Sequence, residues 1–88
     1  MSQEDKETRI KRLRIRAWRR GIKEMDLVMG GFADARLGDL SDAELDIFEA
    51  MMGENDHDLL AWVTGQAEAP PRYAQLIPQL RAHVATER

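Results

Sequence analysis

Two histidines are the residues of this 88-residue chain most suited to acid–base or metal chemistry, but their spacing does not support either role. His57 and His83 fall in different segments, so they lack the i, i+4 spacing with which one helix presents two imidazoles to a metal ion. The chain has no cysteine, which excludes thiolate metal sites, Cys-ligated iron–sulfur clusters and a cysteine nucleophile. The acidic run 54–58 lacks the central glycine and terminal glutamate of an EF-hand loop. The sequence therefore predicts no catalytic residue and no metal site.

The stretch 18–26 places opposite charges on either side of a glycine. Arg20 directly precedes Gly21, and Glu24 follows three residues later. Because glycine has no side chain, a partner backbone or a flat cofactor can approach closely between the two charges. The alternative is a plain interhelix glycine beside an i, i+4 ion pair between Arg20 and Glu24, worth about 0.3 kcal/mol. The residues alone leave both interpretations open.

A second charged feature is a stripe of arginines at helical spacing in the first segment: Arg9, Arg12, Arg16 and Arg19. Residues 1–20 hold eight Lys/Arg and three Asp/Glu, a balance of +5, whereas residues 21–88 hold five and thirteen, a balance of −8. The stripe is either a solvated face paired with acidic residues of neighbouring helices, or a docking site for phosphates or an acidic protein surface.

Helical periodicity of the apolar residues runs through the whole chain, and these helices must position the charged residues. The third helix has the clearest beginning, because Ser41 and Glu44 form a capping-box pattern. Pro78 falls within the last apolar stripe, which predicts a kink or a late helix start. The five predicted helices lie at about residues 6–19, 22–35, 41–53, 55–65 and 73–84. They predict an all-α fold, a small five-helix bundle forming a single domain over 1–88, with 1–5 as a disordered N-terminus.

The length of the apolar runs and the composition of the N-terminus indicate where in the cell the protein is found. The longest uninterrupted apolar run, Leu59–Val63, is too short for a transmembrane helix. The N-terminus is acidic and polar, without the apolar core of a signal peptide or the acid-poor character of a transit peptide. We therefore expect a soluble protein of the bacterial cytoplasm that does not insert into a membrane.

Three motifs in the central part of the chain form a set. The first is Arg-Gly-x-x-Glu at Arg20, Gly21 and Glu24. The second has the form L-S-x-x-E-L-x-x-F-E at 40–49, and the third has the form D-x-D-L-x-x-W at 56–62. In this combination the sequence resembles the succinate dehydrogenase flavinylation factors, a family of FAD assembly factors.

This resemblance implies an assembly factor that binds the flavoprotein subunit of succinate dehydrogenase and promotes covalent attachment of FAD to a histidine of that subunit. Some members also serve the fumarate reductase flavoprotein. It further implies a monomeric helper rather than an enzyme, which binds no cofactor stably and acts on the FAD of its partner. The partner-binding residues that it indicates are Arg20, Gly21 and Glu24, with Arg19 and Asp26 on the same surface.

The resemblance suggests a role for each of the signature residues. Arg20 is expected to anchor to an acidic or carbonyl-lined surface of the partner, and Gly21 to let the two backbones approach. Glu24 is expected to orient a partner side chain or to pair with Arg20 in the free chain. Trp18 is expected to lie in the core, with a position in the interface as the alternative.

The alternative function is a small nucleic-acid-associated regulator that uses the arginine stripe to bind phosphates. The isoelectric point near 5.3 argues against it, since a dedicated nucleic-acid binder usually has a basic domain.

Overall fold

Five α-helices occur in the order that the periodicity predicts and close to the predicted bounds. The computed structural model describes residues 5–87. Two short 3₁₀ turns, Leu37–Asp39 and Pro71–Tyr73, lie between the helices. The helices are α1 Lys6–Trp18, α2 Lys23–Arg36, α3 Asp42–Met51, α4 Asp56–Val63 and α5 Ile77–Glu87. No strand occurs within the described residues, and the predicted five-helix, all-α fold is confirmed.

The predicted disorder of residues 1–5 is wrong at Asp5, which caps the beginning of α1. Asp5 was included in the stretch expected to be disordered, but its carboxylate accepts a hydrogen bond from the Thr8 N–H at 2.7 Å and caps the helix. Residues 1–4, the remainder of that stretch, lie outside the described residues.

The beginnings of α3 and α5 follow the sequence signals. The Ser41 hydroxyl accepts from the Glu44 N–H at 3.1 Å, and the Glu44 carboxylate accepts from the Ser41 N–H at 2.9 Å, which confirms the capping box. Pro78 is the second residue of α5, in the first turn, where its missing N–H costs no helical hydrogen bond. Of the two predicted effects of this proline, a kink or a late helix start, the structure shows the late start.

The core is built from apolar side chains of all five helices and both 3₁₀ turns. Helices α1 and α2 make the most extensive helix–helix contact, and α5 packs on both α4 and α2. The rings of Phe32 and Phe48 stack at the centre with centroids 5.9 Å apart. The largest fully buried side chains include Leu13, Met25, Met29, Leu45, Met51, Leu59, Tyr73 and Leu76. This core fixes α1 and α2 side by side, so the turn that joins them has a defined position.

No helix within residues 5–87 is both long enough and apolar enough to cross a membrane.

Candidate partner-binding site

The connection between α1 and α2 depends on a glycine conformation. Gly21 has a φ of +101°, a backbone region that residues with a side chain rarely adopt. Apart from the two neighbouring residues, a Cβ atom built on Gly21 would meet no heavy atom within 4 Å in the described part of the chain. The glycine is therefore required by the shape of the turn and not by packing within this chain, and the space above it is open.

Arg20 anchors this turn to the loop between α3 and α4. Its Nη1 donates to the Met52 carbonyl at 2.8 Å, and its Nη2 donates to the Glu54 carbonyl at 2.8 Å. Its Nε donates to the carboxylate of Asp56 in a short ion pair. The Arg20 side chain is only 8% exposed, so the chain itself occupies its guanidinium.

This arrangement corrects the expected partner of Arg20. One alternative for the stretch 18–26 was an interhelix glycine beside an i, i+4 ion pair between Arg20 and Glu24. In the structure Arg20 pairs with the carboxylate of Asp56 instead. The carbonyl-lined, acidic surface expected on a partner lies within this chain. The sequence identified Asp56 only as a first-turn carboxylate of α4, and no local pattern links it to Arg20, which lies 36 residues earlier.

Asp26 holds the backbone of the same turn from the other side. One of its carboxylate oxygens, Oδ1, accepts hydrogen bonds from the N–H of Arg20 at 2.7 Å and from the N–H of Gly21 at 3.3 Å. These two amides follow the end of α1 and precede the start of α2, so they lack helical acceptors. Asp26 therefore satisfies amides that would otherwise need water, and it restricts the turn.

Arg19 and Glu24 are placed differently from Arg20 and Asp26. Both are exposed, and neither side chain makes a hydrogen bond or ion pair within the described part of the chain. The structure thus brings the five predicted residues together at one turn but divides them. Arg20 and Asp26 hold the turn, whereas Arg19, Gly21 and Glu24 are open to solvent.

Trp18 does not lie in the core, contrary to expectation. Its side chain is exposed, and its ring packs across Gly30, where an added Cβ would approach the ring to 2.3 Å. Its indole N–H donates to the Asp34 carboxylate at 3.1 Å. The glycine in α2 therefore allows the indole to lie flat against the helix at the surface.

Exposed apolar side chains surround the turn. Within residues 5–87 the large hydrophobic residues classed as exposed all fall between positions 15 and 27: Ile15, Trp18, Ile22 and Leu27. Two of them, Trp18 and Leu27, line a groove of about 800 Å³ together with residues of α5 that include Val84. Clustered exposed apolar surface marks interaction sites in soluble proteins. The turn therefore carries both open backbone and apolar contact surface.

The loop that receives Arg20 is itself tied to the C-terminal part of the chain. The Glu54 carboxylate accepts a short hydrogen bond from the Tyr73 hydroxyl and pairs with Arg72 at 2.6 Å. The Tyr73 hydrogen bond, with a smaller contribution from Arg72, lowers the pKa of Glu54 below its ordinary value. Burial, followed by the neighbouring Glu54 carboxylate, raises the pKa of Tyr73. Arg20 thus connects the turn to a loop that is fixed on its far side.

The two histidines lie in separate environments. His57 is exposed in the first turn of α4, whereas the half-buried His83 packs edge-on against Phe32 with ring centroids 5.8 Å apart. Among residues 5–87 no group of three or more His, Asp or Glu side chains is placed to hold a metal ion.

A sequence model of the family described as flavinator of succinate dehydrogenase matches residues 11–84. The chain belongs to this family. The match includes the whole α1–α2 turn, the whole of helices α2 to α4, and parts of α1 and α5. It confirms the family that the three motifs indicated and favours an assembly factor, not the nucleic-acid-associated regulator.

Several relatives of this chain are proteins named succinate dehydrogenase assembly factor 2, mitochondrial. The protein of Mycosarcoma maydis is 41% identical over 71 residues, which are 81% of this chain and 30% of the relative. The protein of Meyerozyma guilliermondii is 37% identical over 68 residues, 77% of this chain and 50% of the relative. Assembly factor 2-B of Drosophila persimilis is 32% identical over 84 residues, 92% of this chain and 54% of the relative. The chain therefore spans about a third to a half of the length of these relatives.

The names of these relatives contradict the expected location. The sequence led us to expect a bacterial cytoplasmic protein, but the matching relatives in fungi and flies are named as mitochondrial. The expectation rested on an acidic, polar N-terminus and on the shortness of the apolar runs, and neither feature identifies a compartment.

Proposed function

We propose that this chain binds the flavoprotein subunit of succinate dehydrogenase and promotes covalent attachment of FAD to that subunit. In this proposal it acts as a monomer, binds no nucleic acid, does not insert into a membrane, and serves the related fumarate reductase flavoprotein as a second client. It holds no cofactor stably and catalyses no step itself. The FAD and the histidine that receives it both belong to the partner.

The observation that carries the proposal is the open, preformed turn at Gly21. Its positive φ is held by Asp26 and Arg20. Apart from its two neighbours, no described residue has an atom within 4 Å of the position that a side chain would take on the glycine. A backbone that is already fixed loses little conformational entropy when a partner binds. A partner main chain can therefore approach Gly21 closely, with the charged side chains of Arg19 and Glu24 beside it.

The geometry changes the role proposed for Arg20. Because its guanidinium donates to Met52, Glu54 and Asp56, Arg20 serves as a positioning residue that keeps the turn in its binding shape. Asp26 has the same role through the backbone amides. Direct contact with the flavoprotein is then made by Arg19, Gly21 and Glu24 and by the apolar side chains around them.

A helper of this kind accelerates the reaction by orientation. Holding the flavoprotein so that its flavin and its histidine meet in a reactive arrangement removes part of the entropic barrier, which can amount to several kcal/mol. The binding energy for this comes from the turn and the adjoining apolar surface. No proton transfer to or from this chain is needed.

The test is reconstitution with purified apo-flavoprotein subunit, FAD and this chain, read as covalent flavin fluorescence in a denaturing gel. Gly21→Arg is expected to reduce covalent flavin to the level seen without the chain, because a side chain there blocks the approach of the partner. Gly65→Arg is a matched control, since Gly65 also has a positive φ, +81°, and also has open space around it. It carries the same backbone strain away from the turn.

Full activity of the Gly21→Arg chain would refute the assignment of the interface. Equal loss in both arginine variants would show that the surface at Gly21 is not specifically responsible, because backbone strain or obstruction of the groove lined by Thr64 and Gln66 would then account for the loss. Capture of the flavoprotein on immobilised wild-type chain checks binding separately from flavin attachment, and the same assays with the fumarate reductase flavoprotein test the second client.

A further inference from the structure

The arginine stripe of α1 is divided into a paired half and an unpaired half. Arg9 pairs with Asp46 at 2.6 Å and with Glu49 at 2.9 Å, and Arg12 pairs with Glu49 at 3.1 Å. The guanidinium groups of Arg16 and Arg19 make no hydrogen bond or ion pair within residues 5–87. The N-terminal half of the stripe therefore fastens α1 to α3, and the C-terminal half is not used by the fold.

The acidic residues next to this half of the stripe are already occupied. Glu49 is shared by Arg9 and Arg12, and its pKa is lowered chiefly by the hydrogen bond from Arg12. Asp56 is bound by Arg20. The positive charge of Arg16 and Arg19 is thus left without a counter-charge in the free chain, although residues 21–88 carry a net charge of −8 (five basic and thirteen acidic residues).

A shallow groove of about 330 Å³ lies between these arginines and the α3–α4 loop. Its lining residues are Ile15, Arg16, Arg19, Arg20 and Met52. Ile15 is 55% exposed, so the groove combines two free guanidinium groups with an apolar side chain that has no cover. We call these residues the α1 groove.

A helix-dipole role accounts for only part of this arrangement. A cation in the last turn of a helix is favourable by about 0.3–1 kcal/mol, and Arg16 occupies that position in α1. This effect does not require an exposed isoleucine beside it. It also does not require arginine, whose planar fork is suited to binding a carboxylate with two parallel hydrogen bonds.

We propose that the α1 groove binds an acidic segment of the flavoprotein subunit. A carboxylate of that segment is held by Arg16 and Arg19, and a neighbouring apolar side chain covers Ile15. The inference rests on the proposed function and names the chemistry of the partner surface that meets α1. It extends the interface from the Gly21 turn along one face of the first helix.

A protein carboxylate fits the groove better than nucleic acid does. Nucleic acid presents a phosphate charge every few ångströms, and such a charge series would also face the acidic remainder of this chain. Only two guanidinium groups in the groove are free, and their apolar neighbour matches a protein side chain. The recognition chemistry is therefore one acidic position flanked by apolar surface.

The experiment measures the affinity of purified chain for apo-flavoprotein subunit at about 50 and about 300 mM salt, where screening differs strongly. The double variant Arg16→Glu with Arg19→Glu is expected to bind at least about tenfold more weakly at low salt and to lose most of its salt dependence. The double lysine variant, Arg16→Lys with Arg19→Lys, should retain salt dependence and part of the affinity.

The matched control is Lys6→Glu with Lys11→Glu, which makes the same change in net charge on exposed positions of the same helix. Affinity of the Arg16/Arg19 glutamate variant within about twofold of wild type, or equal to that of the lysine-site control, would overturn the α1 groove and the contact proposed for Arg19. The proposed function and the contact at Gly21, which Gly21→Arg tests separately, would remain. A wild-type chain that does not bind the flavoprotein at all would overturn both the groove and the proposed function.

Nucleic acid is the other occupant that the experiment tests. The groove would be reassigned to nucleic acid if the wild-type chain bound random duplex DNA or RNA but not the flavoprotein, and if the Arg16/Arg19 glutamate variant lost that binding. Circular dichroism of each variant verifies that the fold is unchanged.

Discussion

The guanidinium of Arg20 lies against the carboxylate of Asp56, which follows it by 36 residues, and this pair joins the α1–α2 turn to the beginning of α4. Two carbonyls of the intervening loop, those of Met52 and Glu54, complete the set of acceptors. The arginine of the family signature therefore acts within the chain. In the function proposed above, its effect on a partner is exerted through the shape of the turn at Gly21.

Replacing Arg20 is expected to destabilise the fold. Arg20→Ala removes three charge-assisted hydrogen bonds and leaves Asp56 without its partner, so the free energy of unfolding should fall by about 2–3 kcal/mol. Urea unfolding followed by circular dichroism measures this. Arg19→Ala, which removes the neighbouring exposed arginine, should change stability by less than about 0.5 kcal/mol. Equal stability of the two variants would contradict the internal role of Arg20.

Replacing Glu24 is expected to affect function and not stability. The Glu24 side chain is exposed and has no partner within the described residues, so Glu24→Ala should leave the free energy of unfolding within about 0.5 kcal/mol of wild type. Flavin attachment should fall by about tenfold, equivalent to 1.4 kcal/mol of lost partner contact. Glu68→Ala removes an exposed carboxylate elsewhere and should leave flavin attachment unchanged. A drop of several degrees in the unfolding midpoint of Glu24→Ala would instead place Glu24 among the structural residues.

Adding one methyl group at Gly30 is expected to displace Trp18. The new Cβ would lie 2.3 Å from the indole ring, which must move off α2 and lose its hydrogen bond to Asp34. Alanine also favours the helix by about 1 kcal/mol relative to glycine, so we expect little net change in stability. The fluorescence emission maximum of Gly30→Ala should shift to longer wavelength, because the displaced indole is more exposed to water. The chain has two tryptophans, so the Trp18→Phe variant measures the emission of Trp62 alone.

Gly31→Ala serves as the control for Gly30→Ala. There the added Cβ would meet only the end of the His83 side chain, at 3.2 Å, and a small adjustment of that side chain accommodates it. Unchanged emission in Gly30→Ala would mean that the indole does not depend on the glycine surface.

Acid is expected to destabilise the fold through Glu54 and Glu49. Both have a pKa below the ordinary value of 4.5, so each contributes stability that is present above pH 4.5 and is lost as the pH falls through the lowered pKa. The free energy of unfolding, measured in urea at a series of pH values, should decline below pH 4.5. Tyr73→Phe removes the hydrogen bond that contributes most to the lowered pKa of Glu54, and should make this decline less steep. An unchanged slope in Tyr73→Phe would argue against that hydrogen bond.

The helices and their ends were largely predictable because their signals are local. Ser41 and Glu44 cap α3 through contacts only three residues apart, and Pro78 restricts the start of α5 through its own ring. The position of the candidate turn was predictable for the same reason, since Gly21 interrupts two amphipathic segments. The exposure of Trp18 was not predictable, because it depends on which face of α2 carries Gly30 at the point of contact.

By itself the sequence determined the five helices, the turn at Gly21 and the family, since caps, apolar periodicity and short motifs act over a few residues. Only the tertiary structure decided that Arg20 faces Asp56 and the loop carbonyls, that Asp26 holds the turn, and that Arg16 and Arg19 are left free while Arg9 and Arg12 are paired. The physical reason is that helical spacing places the four arginines of the stripe on one face of α1 but does not predict their partners. The tertiary fold determines which carboxylates of α3 and α4 come within reach of the stripe and of Arg20. Those carboxylates lie 36 to 40 residues away from the arginines that they bind, as with Asp56 and Glu49.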